Sequence, residues 1–188
     1  PTLTFVLLRA NKDLAFMSNM LGLPTGEIDQ WCRTLEMGCA SLRNPETKNF
    51  NAINLKSGEH TGHLTSASFL CWYAGMADKS MLDLLKNTLQ ETLYPIPSLD
   101  KNSSKFDGLR YWRGPTWPIL NALIGLGLSD MGHEKEAETI RSRTRELISR
   151  HGFAEYFDPI TGIPGGGKAF SWTAAVWLAW ASPSVGAK

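Results

Sequence analysis

Residues 116–132, TWPILNALIGLGLSDMG, are apolar almost all round, and the segment that follows, HEKEAETIRSRTRELISRHG at 133–152, is the opposite. A helix with no polar face has to be enclosed on every side, whereas one with a narrow apolar stripe covers something and faces water. In the second segment that stripe is Ala137, Ile140, Thr144, Leu147 and Ile148. Glu134, Glu136 and Glu138 sit in its early turns and Arg145, Arg150 and His151 in its late ones, an order that suits the helix dipole. In the first segment Thr116 is the candidate N-cap and Pro118 falls in the first turn, where proline is tolerated. An inner helix followed at once by an outer one is the unit of a layered helical fold.

The rest of the chain repeats the theme. ANKDLAFMSNMLGL at 10–23 places Leu14, Met17, Met20 and Leu21 on one face, and Gly22 then Pro24 stop it. TGEIDQWCRTLEMGCASLRN at 25–44 starts at a capping Thr25 and carries Ile28, Trp31, Cys32, Leu35, Cys39 and Leu42 at helical spacing. TSASFLCWYAGMA at 65–77, KSMLDLLKNTLQETL at 79–93 and SWTAAVWLAWA at 171–181 read as three more helices. Between them, 49–63 reads as a loop with a short extended piece. Residues 94–115, YPIPSLDKNSSKFDGLRYWRGP, form a long irregular stretch in which Pro95 and Pro97 forbid a helix.

The expected fold is therefore all-α, either an α-solenoid or a closed ring of helical hairpins. No recognised solenoid period is visible. About seven helices fall short of the roughly twelve in a closed double ring, so the ring reading makes this chain about half of one. The start at Pro1, directly in a helical pattern, fits a portion of something longer.

Composition narrows the function by exclusion. The 188 residues carry 19 Lys and Arg against 18 Asp and Glu, a net charge near +1. That balance gives no electrostatic case for nucleic acid or an anionic membrane. No apolar run is long enough to span a bilayer, and the first residues lack a basic region and a cleavage site. Cys32, Cys39 and Cys71 have no paired spacing, so neither a disulfide framework nor a zinc site is expected. Three unpaired thiols suit a reducing, cytoplasmic compartment.

Gly162 to Lys168, GIPGGGK, formally matches a phosphate-binding loop. The next residue is Ala169, so the hydroxyl that would hold magnesium is missing, and Pro164 lacks an N–H the cradle would use. The glycines instead permit close backbone approach or positive φ. Upstream, FAEYF at 153–157 sets Glu155 between aromatic residues in an extended segment. A carboxyl held in such a wall suits proton transfer; a structural partner for an arginine is the alternative. Asp158 opens a DPITG turn. Trp112 and Trp117 flank Arg113-Gly114-Pro115, as stacking platforms for sugar rings or as core residues.

Taken in order, YWRGPTW at 111–117, GFAEYFDPITG at 152–162 and GGGKAFSWTAA at 165–175 resemble the C-terminal part of the catalytic domain of glycoside hydrolase family 63, in its mannosylglycerate and glucosylglycerate hydrolase branch. RANKDLAFMSNMLGL and YPIPS fit the same pattern, so the resemblance covers nearly the whole chain. It implies an (α/α)6 barrel, of which residues 1–188 would be the C-terminal half, and inverting hydrolysis of an α-linked glucosyl or mannosyl substrate. By the same resemblance, Glu155 matches the general base, and Trp112, Trp117, Tyr111, Arg113, Phe170 and Trp172 match the substrate-binding wall. The family's general acid is an aspartate in an upstream segment that nothing in residues 1–110 reproduces. Hence the expectation that the isolated chain is inactive, needs no metal or cofactor, and associates with itself or with a missing N-terminal part. A noncatalytic helical sugar-binding or scaffold protein is the rival reading, and an α-solenoid for protein partners a third.

Overall fold

The structure, a computed structural model, describes residues 1–184. Helix α1 (Thr2–Met20) and helix α2 (Gly26–Ser41) form a hairpin. Helix α3 (Ser66–Phe69) is a single turn, and helix α4 (Lys79–Glu91) follows. Helix α5 (Pro118–Asp130) and helix α6 (Glu134–His151) form a second hairpin, and helix α7 (Ser171–Val176) continues into a π-helical turn over Trp177–Ala181. The two strands, β1 (Tyr156–Phe157) and β2 (Pro164–Gly165), pair antiparallel between α6 and α7.

The central core is shared by every helix except the outer faces. Phe5 and Leu8 of α1, Phe69 to Trp72, Met81 and Leu85 of α4, Leu120 and Ile124 of α5, and Ile140 of α6 meet in it. Phe5 and Phe50 pack edge to face at 5.2 Å. The whole stripe expected on α6 is buried. The outer arginines of α6 also close neighbouring helix ends. Arg143 Nη1 donates to the Leu89 carbonyl at 2.6 Å, and Arg145 Nε to the Ala181 carbonyl at 2.7 Å, where the chain's own hydrogen bonds run out.

Four local expectations fail for identifiable reasons. The helix expected over 65–77 lasts only from Ser66 to Phe69. Beyond it the backbone of Trp72 and Tyr73 lies so close to α5 that a Cβ on Gly127 would sit 2.3 Å from the Tyr73 nitrogen. The turn is shaped by that contact, and Gly75 at φ +69° ends it. Thr116 is not the cap of α5: Trp117 holds that position. Thr116 instead exchanges backbone hydrogen bonds with Phe157, at 2.8 and 3.0 Å, and gives its hydroxyl to the Pro95 carbonyl. Thr25 is the N-cap of α2 by position, but its hydroxyl accepts no backbone N–H of the first turn and donates to the Asp29 carboxylate at 2.8 Å. Finally, the apolar face read on α1 is the exposed one: Leu14, Met17, Met20 and Leu21 lie open, while Phe5, Leu8, Asn11 and Ser18 face the core.

Among the described residues no helix is long and apolar enough to cross a membrane. Cys39 and Cys71 are buried, Cys32 is half-buried, and all three are free thiols.

Candidate active site

Glu155 sits on the short link between α6 and β1, and its backbone has no helix to rest on. The link is held from both sides. Below it, Ala154 and Phe157 join Tyr94 and Leu147 in a small separate core. On one flank the backbone of Phe157 pairs with Thr116, ahead of α5. On the other, Glu155 N donates to the Gly167 carbonyl at 2.9 Å and Phe170 N to the Phe153 carbonyl at 2.8 Å. The segment is thus fixed between the start of α5 and the start of α7.

The glycine-rich loop folds directly over this link. A Cβ on Gly165 would meet the Tyr156 ring at 2.3 Å, and one on Gly166 would meet Glu155 Oε2 at 2.3 Å. Gly166 also has φ +69°. What the glycines approach closely is therefore the carboxylate and the tyrosine beside it, as a loop with side chains could not. No parallel strand leads into this loop, since β2 is antiparallel to β1. Asp158 makes the turn expected of it: its Oδ1 accepts from the N–H groups of Ile160 and Thr161, both at 2.8 Å.

Both oxygens of Glu155 have donors. The Tyr111 hydroxyl donates to Oε1 at 3.4 Å and the Gly167 N–H to Oε2 at 3.3 Å. Tyr111 reaches there from a backbone at φ +40°, rare for a residue with a side chain. The Trp117 indole N–H donates to the Tyr111 carbonyl at 3.1 Å and secures that conformation. Packing among the surrounding rings and the adjacent Glu155 carboxylate push the Tyr111 phenol above its ordinary pKa.

Around the carboxylate runs a continuous aromatic wall. Trp112 stacks on Trp117 at 4.1 Å and 5°. Tyr111 meets both edge-on, and Tyr156 closes the group at 5.6 Å from Tyr111 and 5.1 Å from Trp117. Across the glycine loop, Phe170 and Trp172 pack edge to face at 5.8 Å. Exposure separates their roles. Trp112 is 48% exposed and Trp117 only 2%, so the open indole face belongs to Trp112 and Trp117 supports it from beneath. Trp172 and Tyr111 are likewise open. Arg113 is turned away from the carboxylate: its Nε and Nη2 donate to the Lys105 carbonyl at 3.1 and 2.9 Å, tying the loop together.

Beside Trp112 a cavity of about 270 Å³ is lined by Thr2, Thr65, Ser66, Ala67, Ser98 and Leu120. It combines hydroxyls with one aromatic face, the surface a sugar ring presents a match for. A larger groove of about 690 Å³ lies between α4 and α6 on the outer surface. Its Lys86 pairs with Glu136 at 3.5 Å and its Arg143 is committed to helix-end carbonyls, so it offers no convergent reactive group.

Two residues at the site were not picked out from sequence. Tyr156, next to Glu155 in an extended segment, reads from sequence only as an aromatic neighbour. Thr173, inside the FSWTAA motif, donates its hydroxyl to the Ala154 carbonyl at 2.6 Å. Among the described residues no cluster of His, Cys, Asp or Glu could hold a metal ion.

Comparison with known proteins identifies the family of the chain. Residues 1–173 match the family model of the mannosylglycerate hydrolase MGH1-like glycoside hydrolase domain. The chain is 34% identical to mannosylglycerate hydrolase MGH1 of Selaginella moellendorffii over 93% of its own length and 37% of that protein. It is 35% identical to a mannosylglycerate hydrolase of Thermus thermophilus, over 93% of its own length and 43% of that protein. A crystal structure of a family 63 mannosylglycerate hydrolase from Thermus thermophilus, in complex with glucose, superposes with a TM-score of 0.88 at 34% identity, covering 94% of this chain and 46% of that one. The chain thus spans less than half the length of these relatives, and its hairpins match part of an (α/α)6 toroid.

Proposed function

The chain belongs to the mannosylglycerate hydrolase MGH1-like glycoside hydrolase family, and from that premise we propose that it forms the C-terminal portion of a single catalytic domain that hydrolyses α-linked mannosyl or glucosyl substrates, small sugar acids such as the glycerates among them. Glu155 is the general base of an inverting reaction. The observation that carries this is the placement of its carboxylate, held at both oxygens by Tyr111 and Gly167, against an aromatic wall that is open at Trp112.

Inversion needs two carboxyl groups about 6.5–9.5 Å apart, one on each side of the scissile bond, with a water between the base and the anomeric carbon. Glu155 takes the proton from that water as it attacks. The acid on the opposite side protonates the leaving oxygen, and the sugar departs with its anomeric configuration reversed. Trp112 offers its open face to the sugar's C–H surface, Tyr111 and Trp172 flank it, and Phe170 supports Trp172; Trp117 and Arg113 hold Trp112 and its loop in place.

The aspartates of this chain are engaged elsewhere, which supports an acid supplied from outside these residues. Asp13 and Asp130 both accept from Arg9. Asp29 accepts from Thr25, Asp78 caps α4, and Asp83 pairs with Lys79. Asp100, Asp107 and Asp158 accept backbone N–H groups in turns. None of them has the open, unpartnered setting of a proton donor.

The test is Glu155→Gln in the full-length protein, assayed on α-mannosyl- and α-glucosylglycerate with the anomer of the released sugar followed by NMR. We expect the variant to lose roughly 10²–10⁴-fold in kcat, and the wild type to release the β-anomer first. Undiminished turnover by the variant removes Glu155 from the reaction, and initial release of the α-anomer removes inversion.

A further inference from the structure

Among the described residues, five threonines sit in helices with their hydroxyls given to a carbonyl, and one of the five behaves differently. Thr34, Thr88, Thr139 and Thr144 donate to the carbonyl four residues before them, at 3.0, 3.0, 2.8 and 2.8 Å. That is the ordinary local bond of a helical threonine. Thr173, in the first turn of α7, donates instead to the carbonyl of Ala154, nineteen residues upstream, at 2.6 Å. Both residues are buried, at 1% and 3% exposure, so water does not compete for that carbonyl.

The carbonyl of Ala154 and the N–H of Glu155 belong to one peptide unit, which is planar and rigid. Its N–H end donates to the Gly167 carbonyl at 2.9 Å. Its C=O end accepts from Thr173. A plane pinned at both ends cannot rock about the chain axis, and that rocking is the motion that would swing the Glu155 side chain. The preceding carbonyl, of Phe153, is held as well, by Phe170 N at 2.8 Å.

We propose that Thr173 is the positioning residue of the Glu155 carboxylate, acting through the Ala154–Glu155 peptide. This rests on the reading of Glu155 as general base and gives the FSWTAA segment a task beyond lining the wall. Phe170 and Trp172 present rings, and Thr173, in the first turn of α7, fixes the direction in which the base points. Displacement of a reacting group by about 1 Å can cost of order 10²-fold in rate, so the loss of this one hydroxyl falls on turnover and not on substrate binding.

The experiment compares Thr173→Val, which keeps the shape and removes the donor, with Thr173→Ser, which restores the donor and removes a methyl group. Both are made in the full-length protein beside Glu155→Gln, with kcat, KM, the pH profile of kcat and the melting temperature measured for each. The expected result is a loss of about 10- to 100-fold in kcat for the valine variant, with KM within about twofold and the acid limb of the profile displaced. The serine variant should recover most of kcat even where its melting temperature falls. Wild-type kcat in Thr173→Val overturns the proposal, and so does a tenfold loss in Thr173→Ser. If the valine variant does not fold, the serine variant alone decides, by whether kcat survives the lost methyl group. Activity in Glu155→Gln would sink the base reading itself, whereas an inactive Glu155→Gln beside a fully active Thr173→Val would sink only the role of Thr173.

Discussion

The hairpin of α5 and α6 and the hairpin of α1 and α2 are built from the same kind of pattern and end in opposite circumstances. On α6 every residue of the apolar stripe is buried. On α1 the residues that form the clearest stripe are open, with Met20 and Leu21 each 73% exposed. On α2, Trp31 and Met37 are open as well. Periodicity identifies an apolar face; it does not say what covers it. The α5–α6 hairpin has its cover within the chain, in α7 and the loop from 94 to 99. The outward face of α1 and α2 has none among the described residues. The candidate base lies on the covered side, its backbone held between the starts of α5 and α7.

The largest effect expected on that side is at Asn121. Its side chain is fully buried at the junction of α5, α6 and the 94–99 loop. Oδ1 accepts from Ile96 N at 2.7 Å, and Nδ2 donates to Thr144 Oγ1 at 3.0 Å, to Thr116 Oγ1 at 3.3 Å and to the Pro95 carbonyl. Asn121→Leu keeps the volume, strands the buried Ile96 N–H, and takes one donor each from the Pro95 carbonyl and the Thr116 and Thr144 hydroxyls, which keep their other bonds. We expect a loss of about 3 kcal/mol in a urea titration, since a stranded buried group costs about 1–3 kcal/mol, the other lost bonds add to that, and partial relaxation recovers some of it. A loss below about 1 kcal/mol would mean that apolar packing, and not this hub, makes the second hairpin rigid.

How much of this the sequence disclosed follows from the same contrast. The α6 stripe, the irregular 94–115 segment and the turn at Asp158 are set by local chemistry, and they read correctly from residue types and spacing; the all-round burial expected of α5 does not hold, because Ile119 and Leu123 are only half-buried and Leu126 is 43% exposed along one face. The truncated helix at Ser66–Phe69 was not legible, because the contact that ends it is between the Trp72–Tyr73 backbone and Gly127, more than fifty residues away. The same holds for Thr116. Its residue type says cap, but its partner Phe157 lies forty-one residues on, in a strand of two residues that carries no alternation to read. At the site, the quoted motifs bring Glu155, Tyr111, Trp112 and Trp117 together in one cluster. The division of labour between Trp112 and Trp117 depends on which indole lies on top, and sequence is silent on that. Tyr156 and Thr173 were missed because one looks like any aromatic neighbour and the other like any helical threonine.

An intermediate effect is expected at the seam between the two sides. Asp78 caps α4 by accepting from Met81 N at 3.1 Å and pairs with Arg43, at the end of α2, at 2.7 Å. Partial burial pushes its carboxyl up, but the Ser80 hydroxyl, the Met81 N–H and Arg43 outweigh this and leave it below the ordinary 3.8. A carboxyl lowered in the folded state contributes stability that is present above the unfolded value and is lost as the pH falls through the folded one. Asp78→Ala should cost about 1 kcal/mol at neutral pH, the usual worth of an N-cap. The melting temperatures of wild type and variant should converge below pH 3.8. A difference that persists in acid would show that Asp78 acts by shape and not by charge.

The smallest effect sharpens the comparison most. Phe16, Met20 and Leu21 are 65%, 73% and 73% exposed. Changing all three to serine in the 188 residues should move the unfolding free energy by no more than about 0.5 kcal/mol per site, the range of ordinary surface substitutions. It should also lower the binding of an apolar dye, because a contiguous open patch of this kind is what such dyes and other chains adhere to. In a full-length protein, with further helices laid against α1 and α2, the same three changes should cost several kcal/mol, at about 1.5–3 kcal/mol for each large apolar side chain buried. One set of substitutions measured in two lengths of chain thus separates a face that is merely apolar from one that is a contact. If the triple variant already loses several kcal/mol in the 188 residues, the α1–α2 face is packed as tightly as the α6 stripe, and the distinction between the two hairpins disappears.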